Sequence, residues 1–169
     1  MKVDQMGVYK MLLNDENEIV FPPIADEIKP VGEALWAVYT GQRIGIINGQ
    51  GKKVVPFDDY TECSTFSHGL IKLIRANGTY KYFNKLGKLI YVAQYVDYAM
   101  DFDGEKISLI NYDEDFYTHE RQVAQADVYI DSVEKPHPDV AKFLKSSYEE
   151  VKSVEDDQNQ QNQQSIFNI

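Results

Sequence analysis

A unit of roughly 35 residues is written three times in this chain, and no other property narrows its fold as much. One half of the unit runs Asp26-Glu27-Ile28-Lys29-Pro30-Val31-Gly32-Glu33-Ala34-Leu35-Trp36-Ala37-Val38, then Thr61-Glu62-Cys63-Ser64-Thr65-Phe66-Ser67-His68-Gly69-Leu70-Ile71-Lys72-Leu73. A looser third copy keeps Tyr95-Val96-Asp97-Tyr98-Ala99, Phe102-Asp103-Gly104 and Ile107-Ser108-Leu109. The other half begins Tyr9-Lys10-Met11-Leu12-Leu13, Ile44-Gly45-Ile46-Ile47-Asn48 and Tyr80-Lys81-Tyr82-Phe83-Asn84, and continues through a polar stretch to Asn17, Gly51 and Gly87. A unit this short cannot bury its apolar face alone, so copies must stack and the ends must be capped. Met1 to Met6 is expected to supply one cap and the residues after Phe116 the other.

Asn17, Gly51 and Gly87 share one position, just past an apolar strand pattern. Glycine and asparagine tolerate the left-handed conformation in which a type I hairpin turn ends, so each copy should open with a β-hairpin. Further turns are expected at Thr40-Gly41-Gln42 and Ala76-Asn77-Gly78-Thr79, and again near Gly32, at Ser67-His68-Gly69 and at Asp103-Gly104. Alternation predicts Tyr9/Ile44/Tyr80 and Met11/Ile46/Tyr82 on the core face, with Lys10/Gly45/Lys81 between them. It also predicts Trp36/Ile71/Ile107 and Val38/Leu73/Leu109 inward, with Ala37, Lys72 and Ser108 outward. Trp36, the single tryptophan, reads as a packing residue. Pro22-Pro23 and Pro56 should end strands, since proline offers no N–H to a ladder.

These lines resemble the WG-repeat family, whose units read approximately Trp-Gly-aromatic-Ile-Asp-x-x-Gly-Lys-x-Val-x-Pro, followed by Tyr-Asp and later Phe-x-x-Gly-Leu-Ala-x-Val. The resemblance covers about residues 1–117 and rests on spacing and on the Gly/Asn and Pro positions. The name-giving pair stands here as Tyr9-Lys10, Ile44-Gly45 and Tyr80-Lys81. What the resemblance implies is a β-rich repeat module of bacterial and mobile-element proteins, with no family-wide catalytic residues.

The expected class is therefore mainly β: an array of about three antiparallel β-hairpin repeats over residues 1–117. A connector with a possible last strand, Asp127 to Val133, would occupy 118–135. An amphipathic helix is expected over 136–154, where Pro138 and Asp139 suit a first turn and Val140, Phe143, Leu144, Tyr148 and Val151 fall at helical spacing. From Glu155 the chain becomes a Gln/Asn-rich tract with nothing to bury, read as a flexible tail over 155–169 with an apolar tip, Ile166, Phe167 and Ile169. Gln163-Gln164-Ser165-Ile166-Phe167 loosely resembles the peptide that binds the bacterial sliding clamp, so the tip is a candidate docking element.

Charge bears on partners. The 169 residues carry a formal −10. Residues 1–112 hold 14 Asp/Glu against 12 Lys/Arg, while the rest hold 13 against 5. An acidic chain repels phosphate backbones, which argues against direct nucleic-acid binding. Nothing at the start reads as a signal peptide and no stretch approaches the ~18 apolar residues of a membrane helix. These features point to a cytoplasmic protein. Cys63 is the single cysteine and matches the apolar positions Ile28 and Ala99, so it reads as a small buried hydrophobe.

Residue types for catalysis do not assemble in the sequence. His68, His119 and His137 share no metal-like spacing, and neither a phosphate loop nor a Gly-x-Ser-x-Gly elbow occurs. Asp58-Asp59 and the run Asp113, Glu114, Asp115 could attract a hard cation but lack the alternating spacing of a calcium loop. No cofactor, no metal and no enzyme activity are expected. The expected function is a non-catalytic protein–protein interaction module, with Asp113, Glu114, Asp115 and the tail tip as partner-binding candidates. The alternative is an acidic inhibitor from a phage or mobile element, whose carboxylates occupy a basic nucleic-acid-binding groove of a host nuclease or defence complex.

Overall fold

The computed structural model describes residues 1–114 and 121–145. Of these residues 57% are in strands, arranged in four antiparallel sheets, and 6% are helical, so the fold is of the mainly β class. The first sheet joins β1 (Lys2–Met6), β2 (Tyr9–Leu13) and β3 (Ile19–Ala25). The second runs β4 (Glu27–Gly32), β5 (Leu35–Thr40), β6 (Arg43–Ile47) and β7 (Lys53–Asp58). The third repeats that order with β8 (Tyr60–Cys63), β9 (Ile71–Arg75), β10 (Tyr80–Phe83) and β11 (Leu89–Ala93). The fourth holds β12 (Tyr98–Ala99), β13 (Lys106–Glu114) and β14 (Arg121–Tyr129).

Three hairpins share one turn chemistry. Asn14 Oδ1 accepts the amides of Glu16 and Glu18, Asn48 Oδ1 those of Gln50 and Lys52, and Asn84 Oδ1 those of Leu86 and Lys88, all at 2.9–3.0 Å. An asparagine carboxamide that mimics a backbone turn organises the reversal. It closes on Asn17, Gly51 and Gly87, whose φ values are 61°, 78° and 79° as expected of the left-handed position. A register shift follows at Leu12/Leu13, Ile46/Ile47 and Tyr82/Phe83, the bulge that accompanies such a turn. The other expected turns also hold, with positive φ at Gly41, Gly78, Glu33, Ala34, His68, Gly69 and Gly104.

That asparagine corrects the alignment of the first copy. Counting back from Asn14, Asn48 and Asn84 makes Leu12 the counterpart of Ile46 and Tyr82, and Met11 that of Gly45 and Lys81. Leu12 is accordingly fully buried, whereas Tyr9, expected on the core face, is 47% exposed. Slipping a strand by one residue exchanges its faces, so the one-residue offset changes the expected facing of all of β2.

The sheets stack in chain order around three apolar clusters. Leu12, Ala25, Ile28, Val38 and Ile47 pack between the first and second sheets. Leu35, Ala37, Ile44, Ile46, Ile71, Leu73 and Phe83 fill the space between the second and third. Leu70, Tyr82, Tyr91, Ala99, Phe102 and Ile107 fill that between the third and fourth. Both faces of the middle sheets are therefore covered, so the expected outward positions Ala37 and Lys72 are buried between sheets, while Ser108, on the outer face of the fourth sheet, is buried beside Asp127 and Gln125. Trp36 and Leu109 are half-buried against the clusters, as is Cys63.

The prolines are also corrected. Pro22 and Pro23 lie inside β3 and Pro56 inside β7 rather than at strand ends. Both strands are sheet edges, where a missing N–H leaves no ladder bond unmade. The last strand among the described residues is Arg121–Tyr129, starting six residues before the expected Asp127 and paired with β13 through Lys106↔Tyr129 to Glu114↔Arg121.

Beyond β14 the chain turns back over the third sheet. Ile130 N–H donates to Glu105 O at 3.0 Å and His137 N–H to Ile90 O at 2.7 Å. Asn84 Nδ2 donates to Val133 O at 2.9 Å. Residues 138–145 are helical, within the expected 136–154, and Val140 is buried while Leu144 is exposed. Residues 146–169, which hold the rest of the expected helix and the expected tail, lie outside the described residues.

Candidate interaction surface

The geometry of the fourth sheet follows from its register. Ile107 and Leu109 face the third sheet with Val128 and Ala99. Alternation then turns Lys106, Ser108, Ile110 and Tyr112 to the opposite face, and antiparallel pairing sets Tyr129, Asp127, Gln125 and Val123 beside them, with Tyr98 across from Ile110. In the second and third sheets the matching β5 and β9 positions, Ala37 and Lys72, are buried between sheets. Here the same face carries Val123 at 59% exposure and Tyr129 at 54%.

A polar group occupies the middle of that face. Asp127 accepts from Lys106 Nζ at 3.1 Å, Ser108 Oγ at 2.9 Å and Gln125 Nε2 at 3.0 Å. The hydrogen bonds from Gln125 and Ser108, then from Lys106, hold the Asp127 carboxyl below its ordinary range. Lys106 and Ser108 stand where the stacked sheets have Leu35 and Ala37, so the face is polar at its centre and apolar towards Ile110, Tyr112 and Val123.

At the rim, between the third and fourth sheets, sits a buried lysine. Lys72 is only 7% exposed. Its Nζ donates to Ala99 O at 3.0 Å and pairs with Asp101 Oδ1 at 3.1 Å, and it lies 4.9 Å from the centroid of Tyr98 and 5.9 Å from that of Tyr80. A cation enclosed by a carboxylate, a carbonyl and two aromatic rings has every donor direction met by negative potential. Tyr80 Oη donates to Asp97 O at 3.3 Å and Tyr82 Oη to Met100 O at 2.6 Å. Burial raises the pKa of both phenols. Asp97 in turn accepts the Tyr112 amide at 2.6 Å, as Asp26 accepts that of Gly41 at 2.6 Å.

The remaining chemical candidates are satisfied locally. Asp59 Oδ1 lies 2.7 Å from Arg75 Nε and Asp58 Oδ1 3.8 Å from Arg75 Nη2, so the acidic pair holds a guanidinium. The Arg75 hydrogen bond lowers the Asp59 pKa. Ser67 Oγ is 3.2 Å from His68 Nδ1 but donates to Phe102 O at 2.8 Å, and His68 meets the Phe102 ring edge-on, which ties this turn to the fourth sheet. His137 packs edge-on against Tyr91, 5.2 Å between centroids. Burial pushes the Cys63 thiol up to about 12, far from a reactive thiolate. Among the described residues no three His, Cys, Asp or Glu side chains are grouped to hold a metal ion, and no helix is long and apolar enough to cross a membrane.

Of the residues singled out for partner binding, Asp113 lies on β13, on the face opposite Tyr112. Glu114 ends the same strand. Asp115, His119, Ile166, Phe167 and Ile169 lie outside the described residues. The aromatic face of the fourth sheet was not among the expected sites; its signal was the run of Tyr95, Tyr98 and Tyr112 in the loosest copy.

The fold and surface define a mainly β protein of four stacked meander sheets with an exposed aromatic end face. No family model matches the chain, and no curated protein or solved structure matches it either. The WG-repeat resemblance therefore rests on the residues alone.

Proposed function

We propose that the chain is a non-catalytic protein–protein interaction module, built as a divergent WG-like array, whose contact surface is the outer face of the fourth sheet. One observation carries this reading: the strand face buried by the neighbouring sheet in the second and third sheets here leaves Val123, Tyr129 and Tyr112 at the surface. Exposed tyrosines beside the apolar Ile110 and Val123 supply large contact area at low entropic cost, as interface anchors do. The tail tip is a second contact, and the single cysteine Cys63, unpaired within the chain, fits a cytoplasmic protein. The inhibitor reading is favoured separately by the acidic excess after residue 112.

The test is affinity capture from the native extract with full-length protein. The double substitution Val123→Gln, Tyr129→Gln should abolish recovery of the partner while leaving the unfolding midpoint unchanged, because both side chains are exposed. Recovery equal to wild type would remove this face from the account.

A further inference from the structure

The carboxylates beside Tyr98 are exposed. Asp97 and Asp101 flank it along the chain and both reach the surface, while the basic residue of the same strand pair, Lys106, is paired with Asp127. Lys72 of the third sheet also reaches this rim, and its ammonium is enclosed rather than presented. An approaching molecule thus meets tyrosine rings, backbone carbonyls and carboxylates. Asp101 remains 53% exposed although it pairs with Lys72. Lys72 is itself a cation held by the groups of this rim, the Ala99 carbonyl, Asp101 and the rings of Tyr98 and Tyr80.

Resting on the interaction-module reading, we propose that the partner presents a lysine- or arginine-bearing protein segment, which docks along Tyr98, Ile110, Tyr112 and Val123 with its cations toward Asp97 and Asp101. Aromatic faces and carboxylates together favour such cations over neutral or acidic segments. The apolar side chains of the segment fall on Ile110 and Val123. Long cationic side chains also lay their methylene stems on apolar surface while their heads reach charge at its edge, which is the geometry this rim offers.

The probe is a synthetic twelve-residue peptide of alternating arginine and glycine, with a second peptide in which citrulline replaces every arginine. Amide chemical shifts of the full-length protein are followed during titration with each. The arginine peptide should shift the amides of residues 97–101, 110–112 and 123–125, and the citrulline peptide should not. Val123→Lys should weaken arginine-peptide binding at these amides by about tenfold, and Val123→Glu by less than about twofold, because a rim charge acts by its sign. Equal weakening by both variants, or shifts confined to residues after 145, would overturn the proposal. If the arginine peptide fails but capture of the partner still depends on Val123 and Tyr129, the cationic chemistry falls and the interaction module stands.

Discussion

Gly51 and Gly87 meet two demands, where Asn17 meets one. All three have positive φ, which asparagine tolerates. A Cβ on Gly51 or Gly87 would in addition land on the carbonyl oxygen of Val20 or Val54, in the sheet stacked before it. Asn17 lies in the first sheet and is exposed, so a side chain is accommodated. Gly87→Ala should therefore cost more than ~2 kcal/mol, above the usual left-handed penalty, because backbone must move. Asn17→Gly should change stability by less than ~0.5 kcal/mol. Urea unfolding of both variants checks this, and equal effects at the two sites would refute the stacking contact. The positive φ was legible in the sequence because a turn depends on a few adjacent residues. The burial of Lys72 was not, since its counterparts are Ala37 and Ser108 and its enclosure depends on Tyr98 and Asp101, which arrive with the next sheet.

Elements carry the same argument one level up. Val20, Val54 and Ile90 each stand three residues after the left-handed residue of their hairpin. The carbonyls of Val20 and Val54 face the turn glycine of the following sheet, but among the described residues the fourth sheet shows no such turn, and the Ile90 carbonyl accepts the His137 amide instead. Residues 130–145 thus take the place of that turn, with Val133 over Gly69 and Val140 buried. The sequence pattern made the helix legible from its spacing, whereas its destination on the third sheet required the Ile90 and Asn84 contacts. Leu70→Ala, which opens the cluster shared by the third and fourth sheets, should destabilise by ~2–5 kcal/mol. Deleting 155–169 should leave the denaturation midpoint in place, and deleting 130–169 should lower it strongly, because only the latter removes Ile130 and Val140 from the core. A midpoint insensitive to the longer deletion would contradict the capping role.

At the scale of the whole molecule, charge separates the two readings of function. Exposed pairs are screened over about 10 Å at 0.1 M salt, so affinity for a cationic segment should fall with ionic strength. On the rim account, Asp97→Asn flattens that slope while retaining an acceptor for the Tyr112 amide. Neutralising Asp113, Glu114 and Asp115 leaves the slope nearly intact. The opposite pattern, a steep slope flattened by the triple substitution alone, would favour the inhibitor that fills a basic groove. The most direct measurement is hydrogen–deuterium exchange on the full-length protein with and without its recovered partner. The account predicts new protection in Tyr98–Ala99, in residues 110–112 and along Val123–Tyr129, with exchange in the first two sheets unchanged. Protection confined to the first two sheets or to residues 155–169, with the fourth sheet exchanging as in the free chain, would contradict it.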